Sequence, residues 1–287
     1  SSLESRKLQE QREQWDHHNF LFTYETFDRT STDEQSRQHG NRIAAGHAAT
    51  LTSGGTSAIQ ASSIEAGDTL RSNSTDNLRL IAADEIHATR DRGAHRKHLW
   101  KANWDESSRD QRSVTSSLKA GQHLELNSQQ TVQLQGAHVQ TPRDIRINAR
   151  AVDISSVAGT HTRSGKAYSG DLVGGSFFGN KGRDDQGKTA HVASKVNADG
   201  ALIVRADNVK ISASQVHGGQ QASVISDKGS LVIDGVNNTS HDSSYRLDSQ
   251  FFGLTKHEAS KELKRNTHVA SQLRSDSNLT LSSAKVL

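Results

Sequence analysis

Three groups of side chains in this 287-residue sequence are of types that could do chemistry: fifteen histidines, one pair of adjacent aspartates, and a basic cluster beside two tryptophans. Among the histidines, His17-His18 and His95-x-x-His98 come nearest to metal-ligand spacing. A zinc site needs about four converging ligands, and neither pair has a second pair to complete it. They read as single histidines on polar surfaces, and no metal is expected. Asp184-Asp185 would suit the acid–base work of a polysaccharide lyase or hydrolase, but it stands among Gly179, Gly182 and Gly187. A solvated, turn-rich loop explains it better. No HExxH, GxSxG, P-loop or dinucleotide fingerprint occurs, so no cofactor is implied.

The basic cluster is Arg90, Arg92, His95, Arg96, Lys97, His98 and Lys101, with Trp100 and Trp104 beside it. Such a set fits sulfated glycans or an anionic lipid surface, where aromatic rings stack on sugars or sit at an interface. The bland alternative is a charged, solvated arm whose aromatics pack on the scaffold that bears it. An aromatic recurs at the matching place in each arm, as Leu99-Trp100, Phe177-Phe178-Gly179 and Phe251-Phe252-Gly253. That recurrence favours packing over a unique site. The surface-contact candidates are Arg92, Arg96, Lys97, Trp100, Trp104, Phe178 and Phe252.

The elements that position these residues are repeats. The stretch Leu118-Lys-Ala-Gly121-Gln-His-Leu124-Glu-Leu126 returns from Val196 and from Leu273, and more weakly from Ile43. By subtraction the anchors Ile43, Leu118, Val196 and Leu273 stand 75, 78 and 77 residues apart, a period that marks a repeat architecture. Within a unit, apolar-x-apolar triplets follow one another: Leu124-x-Leu126, Val132-x-Leu134, Ile145-x-Ile147 and Val152-x-Ile154. Each is a very short strand with two side chains on one face. Leu124 to Ile145 is 21 residues, Val132 to Val152 is 20, and Leu51 to Leu70 and Ile59 to Leu78 are 19. About twenty residues holding three short strands is one rung of a parallel β-helix. The fold class is therefore all-β, a parallel β-helix (solenoid) with extruded polar arms or hairpins. One rung cannot bury its apolar face alone, so stability must come from stacking.

The chain reads as one continuous solenoid, residues 1–287, with units at about 43–117, 118–195 and 196–272 and partial units at both ends. Polar inserts at about 87–114, 158–191 and 236–268 read as long arms or hairpins extruded from the helix, or as enlarged rungs; the pattern fits both. Gly46, Gly67, Gly121, Asn148, Gly200, Gly218 and Gly219 mark corners that would want positive φ. Arg6 to Trp15 has the charge of a short helix. The opening Ser1-Ser2-Leu3-Glu4 is no signal peptide and no methionine occurs, so the sequence reads as an internal piece of a longer protein.

Composition supports order with a narrow core. The apolar share is 32%, low for a globular enzyme, yet Pro142 is the lone proline and the aliphatics are periodic, unlike a disordered chain. No cysteine is present, which excludes disulfides and thiolate metal sites. A formal charge of +3 leaves no nucleic-acid footprint.

The Leu118–Leu126 hinge, the rung Val132-Gln-Leu134-Gln-Gly-Ala-His-Val139 and the Thr/Ser-rich insert before each hinge resemble the haemagglutinin repeats of the filamentous-haemagglutinin family. These are large bacterial exoproteins of two-partner secretion, including those of contact-dependent growth inhibition. The resemblance covers essentially the whole chain, most clearly 43–287. It implies a right-handed β-helix, secreted to the bacterial cell surface and associated with the outer membrane, and an outer-membrane secretion partner for the parent protein. It further implies contact with a host or neighbouring-cell surface, in adhesion or in delivery of a C-terminal toxin. No catalytic residue is carried over. The alternative expectation is a carbohydrate-active β-helix enzyme, which a unique cluster of acidic and basic groups would favour; near-identical units favour the scaffold.

Overall fold

The computed structural model describes residues 3–19, 23–171 and 178–285. They form strands, turns and bends with no helix. Arg6–Trp15, whose charge suggested a short helix, lies instead inside a strand, Leu3–Asn19, that pairs antiparallel with Thr23–His39 along its whole length. Its backbone groups are satisfied across the ladder rather than along the segment.

From Arg42 onward, apart from three further long hairpins, the chain winds as a parallel β-helix. A complete rung has three short strands, one on each face: Ser116–Ala120, His123–Ser128 and Thr131–Gln135, then Ala137–Thr141, Asp144–Asn148 and Ala151–Ser155 in the rung above. Each strand pairs in parallel with its counterpart one rung away, as Leu124 with Ile145 and Val132 with Val152. One face is a sheet of seven strands; the other two are joined into a single sheet because Gln221–Asp234 runs through their corner.

The register explains the spacing of the aliphatics. One column stacks Leu70, Leu124, Ile145, Leu202 and Ala222, and its neighbour stacks Leu126, Ile147, Val204 and Val224. A third runs Leu80, Leu134, Ile154 and Ile211. All these side chains are essentially removed from solvent, because every second residue of a strand points inward. The residues between them, such as Arg71 and Glu125, face out and pair across rungs at 2.8 Å. In the first rung the pairing is Ala49 with Leu70 and Ser57 with Leu78, so Leu51 lies beside Ser72 and Ile59 beside Leu80. The 19-residue spacings were thus a misalignment by two residues. Alanine and serine occupy the positions where the later rungs carry large aliphatics.

The corner glycines also differ from expectation. Gly46, Gly67, Gly121, Gly200, Gly218 and Gly219 are absent from the positive-φ residues of the described chain. Their cause is vertical stacking: a Cβ on Gly121 would overlap the Gly67 carbonyl, and one on Gly67 the Gly46 carbonyl. Positive φ falls instead on Ala61, Gly136 and Ala213. Each opens the corner of one or two residues between the third strand of one rung and the first strand of the next.

That same corner is where the chain departs on alternate rungs. After Leu78–Ile81, Ala151–Ser155 and Gln221–Asp234 it leaves as a long antiparallel hairpin: Ala83–Lys97 with Trp100–Val114, Val157–Asp171 with Phe178–Val192, and Val236–Gln250 with Thr255–Val269. A serine closes each neck, buried at Ser116 and Ser194 and partly exposed at Ser271. Ser194 Oγ lies 2.7 Å from the Ser155 carbonyl below the excursion and 3.0 Å from that of Leu134, and it accepts from the Ala137 amide. Ser116 and Ser271 repeat the arrangement on Ile81 and Asp234. Ser194→Ala is expected to leave these carbonyls and the Ala137 amide under-satisfied and to cost about 1–3 kcal/mol. Urea unfolding followed by circular dichroism measures it.

One outward carboxylate is poorly placed. Asp153 is half-buried on the outer side of its strand, and its Oδ1 has no hydrogen-bond partner. Desolvation raises its pKa, opposed by Lys210. A carboxyl with a higher pKa folded than unfolded opposes folding when ionised, and that penalty disappears as pH falls below the unfolded value. Asp153→Asn is therefore expected to raise the unfolding midpoint at pH 7, with the gain shrinking towards pH 3.8, the ordinary value. Paired melts across that range check the sign.

Candidate functional site on the hairpin sheet

The four hairpins, counting Leu3–Asn19 with Thr23–His39, pair side by side into one eight-stranded antiparallel sheet. Spacing makes this commensurate. Strands and rungs both repeat at about 4.8 Å, so a two-stranded hairpin inserted every second rung occupies the height of two rungs and meets its neighbours without a gap. Fifteen-residue strands reach about 50 Å at ~3.4 Å per residue. The hairpin strands make their extended contacts with one another, not with the β-helix wall.

Both faces of this sheet are largely polar and solvated, so alternation alone would specify its register weakly. The β-helix supplies the register from below. Cross-strand pairs reinforce it: Arg29 Nη2 and Asp91 at 2.5 Å, Arg90 and Asp105 at 2.8 Å, and Lys97 and Glu25 at 3.4 Å. The Arg29 guanidinium holds the Asp91 carboxyl below the usual range, and Arg90 does the same for Asp105.

This geometry divides the basic cluster. Arg90, Arg92 and Arg96 alternate along one face, while Asp91, His95 and Lys97 take the other. Arg92 stands opposite Asp105 and Arg96 opposite Lys101. Arg92 and Arg96 are exposed. Trp104 is half-buried over Gly93, donates from Nε1 to Asp91 at 3.1 Å, and lies 6.0 Å from Phe27. Phe27 stacks on Trp15 at 5.6 Å and meets His95 edge-on. Trp104 is therefore a packing residue of the sheet itself. Trp100, Phe178 and Phe252 are different: they stand at the hairpin turns with 42%, 47% and 66% of their surface exposed. The expected packing of these aromatics on the β-helix wall is not what the structure shows. A turn about 50 Å from the wall cannot reach it. Phe177, like Phe20 and Phe22, lies outside the described residues.

Asp184 and Asp185 are consecutive in a strand and point to opposite faces. Asp185 accepts from Ser164 and pairs with Arg183, while Asp184 stands opposite Gly165. They cannot serve one substrate atom together. His95 bonds Glu25 at 2.8 Å, and His98 sits in the turn. No group of three or more His, Cys, Asp or Glu gathers as a cation site among the described residues. Sequence reading missed the serine necks. Their trace was visible in the recurring Val192-Ala-Ser194 and Val269-Ala-Ser271.

A parallel β-helix bearing a ladder of regularly inserted hairpins is a repeat scaffold that presents an extended surface. Residues 93–170 match the family described as Hemagglutinin repeat. The chain is 31% identical over 89% of its length to a protein named Hemolysin from Proteus mirabilis, and 27% identical over 90% to one of that name from Serratia marcescens. It spans 16% of the length of each of these curated relatives. No solved structure matches it. The chain thus carries a haemagglutinin repeat and is similar over most of its length to these two proteins, and residues 93–170 contain all but the last pair of the junction between two neighbouring hairpins.

Proposed function

We propose that this chain is a non-enzymatic structural and interaction segment of a large secreted exoprotein of the bacterial cell surface. The β-helix extends the parent molecule, and the hairpin sheet meets the surface of a host or neighbouring cell. The observation that carries this reading is the hairpin ladder: four arms, solvated on both faces, held in register and directed away from the scaffold. The relatives' name, Hemolysin, supports an encounter with another cell. At the level of the parent protein the segment serves adhesion or the contact-dependent delivery of a C-terminal toxin, after export through an outer-membrane secretion partner. The split carboxylates Asp184 and Asp185 speak against the polysaccharide-cleaving alternative.

The test is to incubate the labelled chain with erythrocytes and with Gram-negative cells, and separately with acidic polysaccharides. Saturable cell binding with no new reducing or unsaturated ends is expected. Release of such ends, or absence of cell binding, overturns the proposal.

A further inference from the structure

The described ends of the hairpin strands fall in one line. Lys97 stands opposite Glu25 and Trp100, Trp100 opposite Asp171, and Phe178 opposite Gln250, which in turn faces Thr255. The strand ends thus form a single row across eight strands, about 34 Å long at ~4.8 Å per strand. Beyond it stand Leu99 (74% exposed), Phe251 (56%), Phe252 (66%) and Leu254 (87%), with Trp100 and Phe178 at the row itself. Phe178 touches Phe251 at 5.7 Å, so adjacent tips are in contact. Every Trp, Tyr and Phe of the described chain lies on a hairpin, and none is in the β-helix.

The order along the arms is also graded. Phe and Leu, with no polar atom, are outermost. Tyr168, Trp104 and Tyr245, which carry a polar handle, stand behind the row, and Trp104 uses its handle on Asp91; Tyr24 stands one residue beyond Glu25 on the tip side, where its carbonyl accepts from the His98 amide. Lys97 stands in the row, and Arg96, Lys101 and Lys256 stand one residue behind it, nearer the tips than Trp104, Tyr168 and Tyr245. The acids closest to the row are engaged: Glu25 with His95 and Lys97, and Asp171 with the Phe178 amide.

We infer that this row of strand ends, with the tips at 98–99 and 251–254, is a lipid-contact edge, seating in the headgroup–acyl boundary of a bilayer that contains anionic lipid. Exposed apolar groups outermost, with basic groups in the row and one residue behind it, match the headgroup–acyl boundary of a bilayer that carries anionic lipid. A sugar would stack on flat rings beside hydrogen-bonding groups, which the outermost Phe and Leu lack. A protein partner would need a recess to fill or a flat patch to cover, whereas this is a linear edge of separate side chains. The inference deepens the cell-surface reading above and rests on it, but its test contains lipid alone.

The probe is vesicles of phosphatidylcholine, with and without phosphatidylglycerol. The full chain is expected to co-sediment with the mixed vesicles, and more weakly with phosphatidylcholine alone. The triple variant Phe251→Ser, Phe252→Ser, Leu254→Ser changes only exposed tip residues and should keep the parental circular dichroism spectrum. Its partition coefficient is expected to fall by more than about tenfold. With Trp15→Phe and Trp104→Phe in place, Trp100 should be quenched by lipids brominated high on the acyl chain. The matching chain retaining only Trp104 should be quenched less. No vesicle binding alongside preserved cell binding rejects the lipid edge, points to a protein or glycan receptor and leaves the proposed function standing. Equal partitioning of the folded triple variant also rejects it.

Discussion

Gly121→Val is expected to prevent the β-helix from closing at its centre. Already at the Cβ stage the new side chain overlaps the backbone carbonyl of Gly67 in the rung below. That carbonyl cannot turn away, because the Gly121 amide donates to Ala66 and the Gln122 amide to Asp68 at this same corner. Relief requires the two rungs to separate, which breaks the ladder from Ser117 to Asn127. Backbone overlap combined with lost ladder bonds places the cost above the ~4–5 kcal/mol that marks an exceptional substitution. Gly187→Ala is the companion change. Nothing lies within 4 Å of its Cβ, and an effect within about 0.5 kcal/mol is expected. Urea melts of the two variants separate a stacked corner from a merely flexible one; if Gly121→Val melts like the parent chain, the stacking explanation is wrong.

Leu126→Asp is the second severe change. Leu126 is fully buried between Ser72 and Ile147 in the inner column. Truncation to alanine there is expected to cost about 2–5 kcal/mol through lost burial and a residual cavity. Aspartate adds a carboxylate with no partner in an aliphatic column, which costs several kcal/mol more or forces protonation. The chain should lose its cooperative transition at pH 7 and recover part of it in acid. Leu263→Asp, on a hairpin strand where the side chain is 47% exposed, should be nearly silent. The contrast tests the division of labour: stability resides in the rungs, and the hairpins are carried by them.

That division also explains what could be read in the sequence. The rungs were legible because burial imposes a two-residue alternation, and triplets such as Leu124-x-Leu126 and Val152-x-Ile154 repeat it at rung spacing. The inserts were not, because strands solvated on both faces have no reason to alternate apolar with polar; Thr160-His-Thr-Arg163 fits a loop as well as a strand. The same absence of pattern made Arg6–Trp15 look helical. The first-rung register slipped because Ala49 and Ser57 replace the large aliphatics that would have marked it. Gly121 and its neighbours were placed at corners correctly but for the wrong cause, since a clash between rungs is invisible in local sequence. The tip aromatics were found by their recurrence and then assigned to packing. Recurrence tells that a position is repeated, not what it faces. Only the two-rung, two-strand match shows why one residue per turn should appear at the same distance from the scaffold in every unit.

Side-by-side pairing of hairpins from neighbouring units is the central claim, and a chain without cysteine allows it to be tested directly. Ser107 and Ser164 lie opposite each other on adjacent strands of different hairpins. Directly opposed residues have Cα atoms about 4.5–5.5 Å apart, within disulfide range. The double variant Ser107→Cys, Ser164→Cys is expected to form an intramolecular disulfide on mild oxidation, identified by non-reducing peptide mapping, while Ser107→Cys with Arg163→Cys, on opposite faces, stays reduced. Asn127→Cys with Asn148→Cys, paired between rungs, serves as the β-helix control. Failure of the Ser107–Ser164 pair in a chain whose control pair closes would contradict the stacked hairpin sheet.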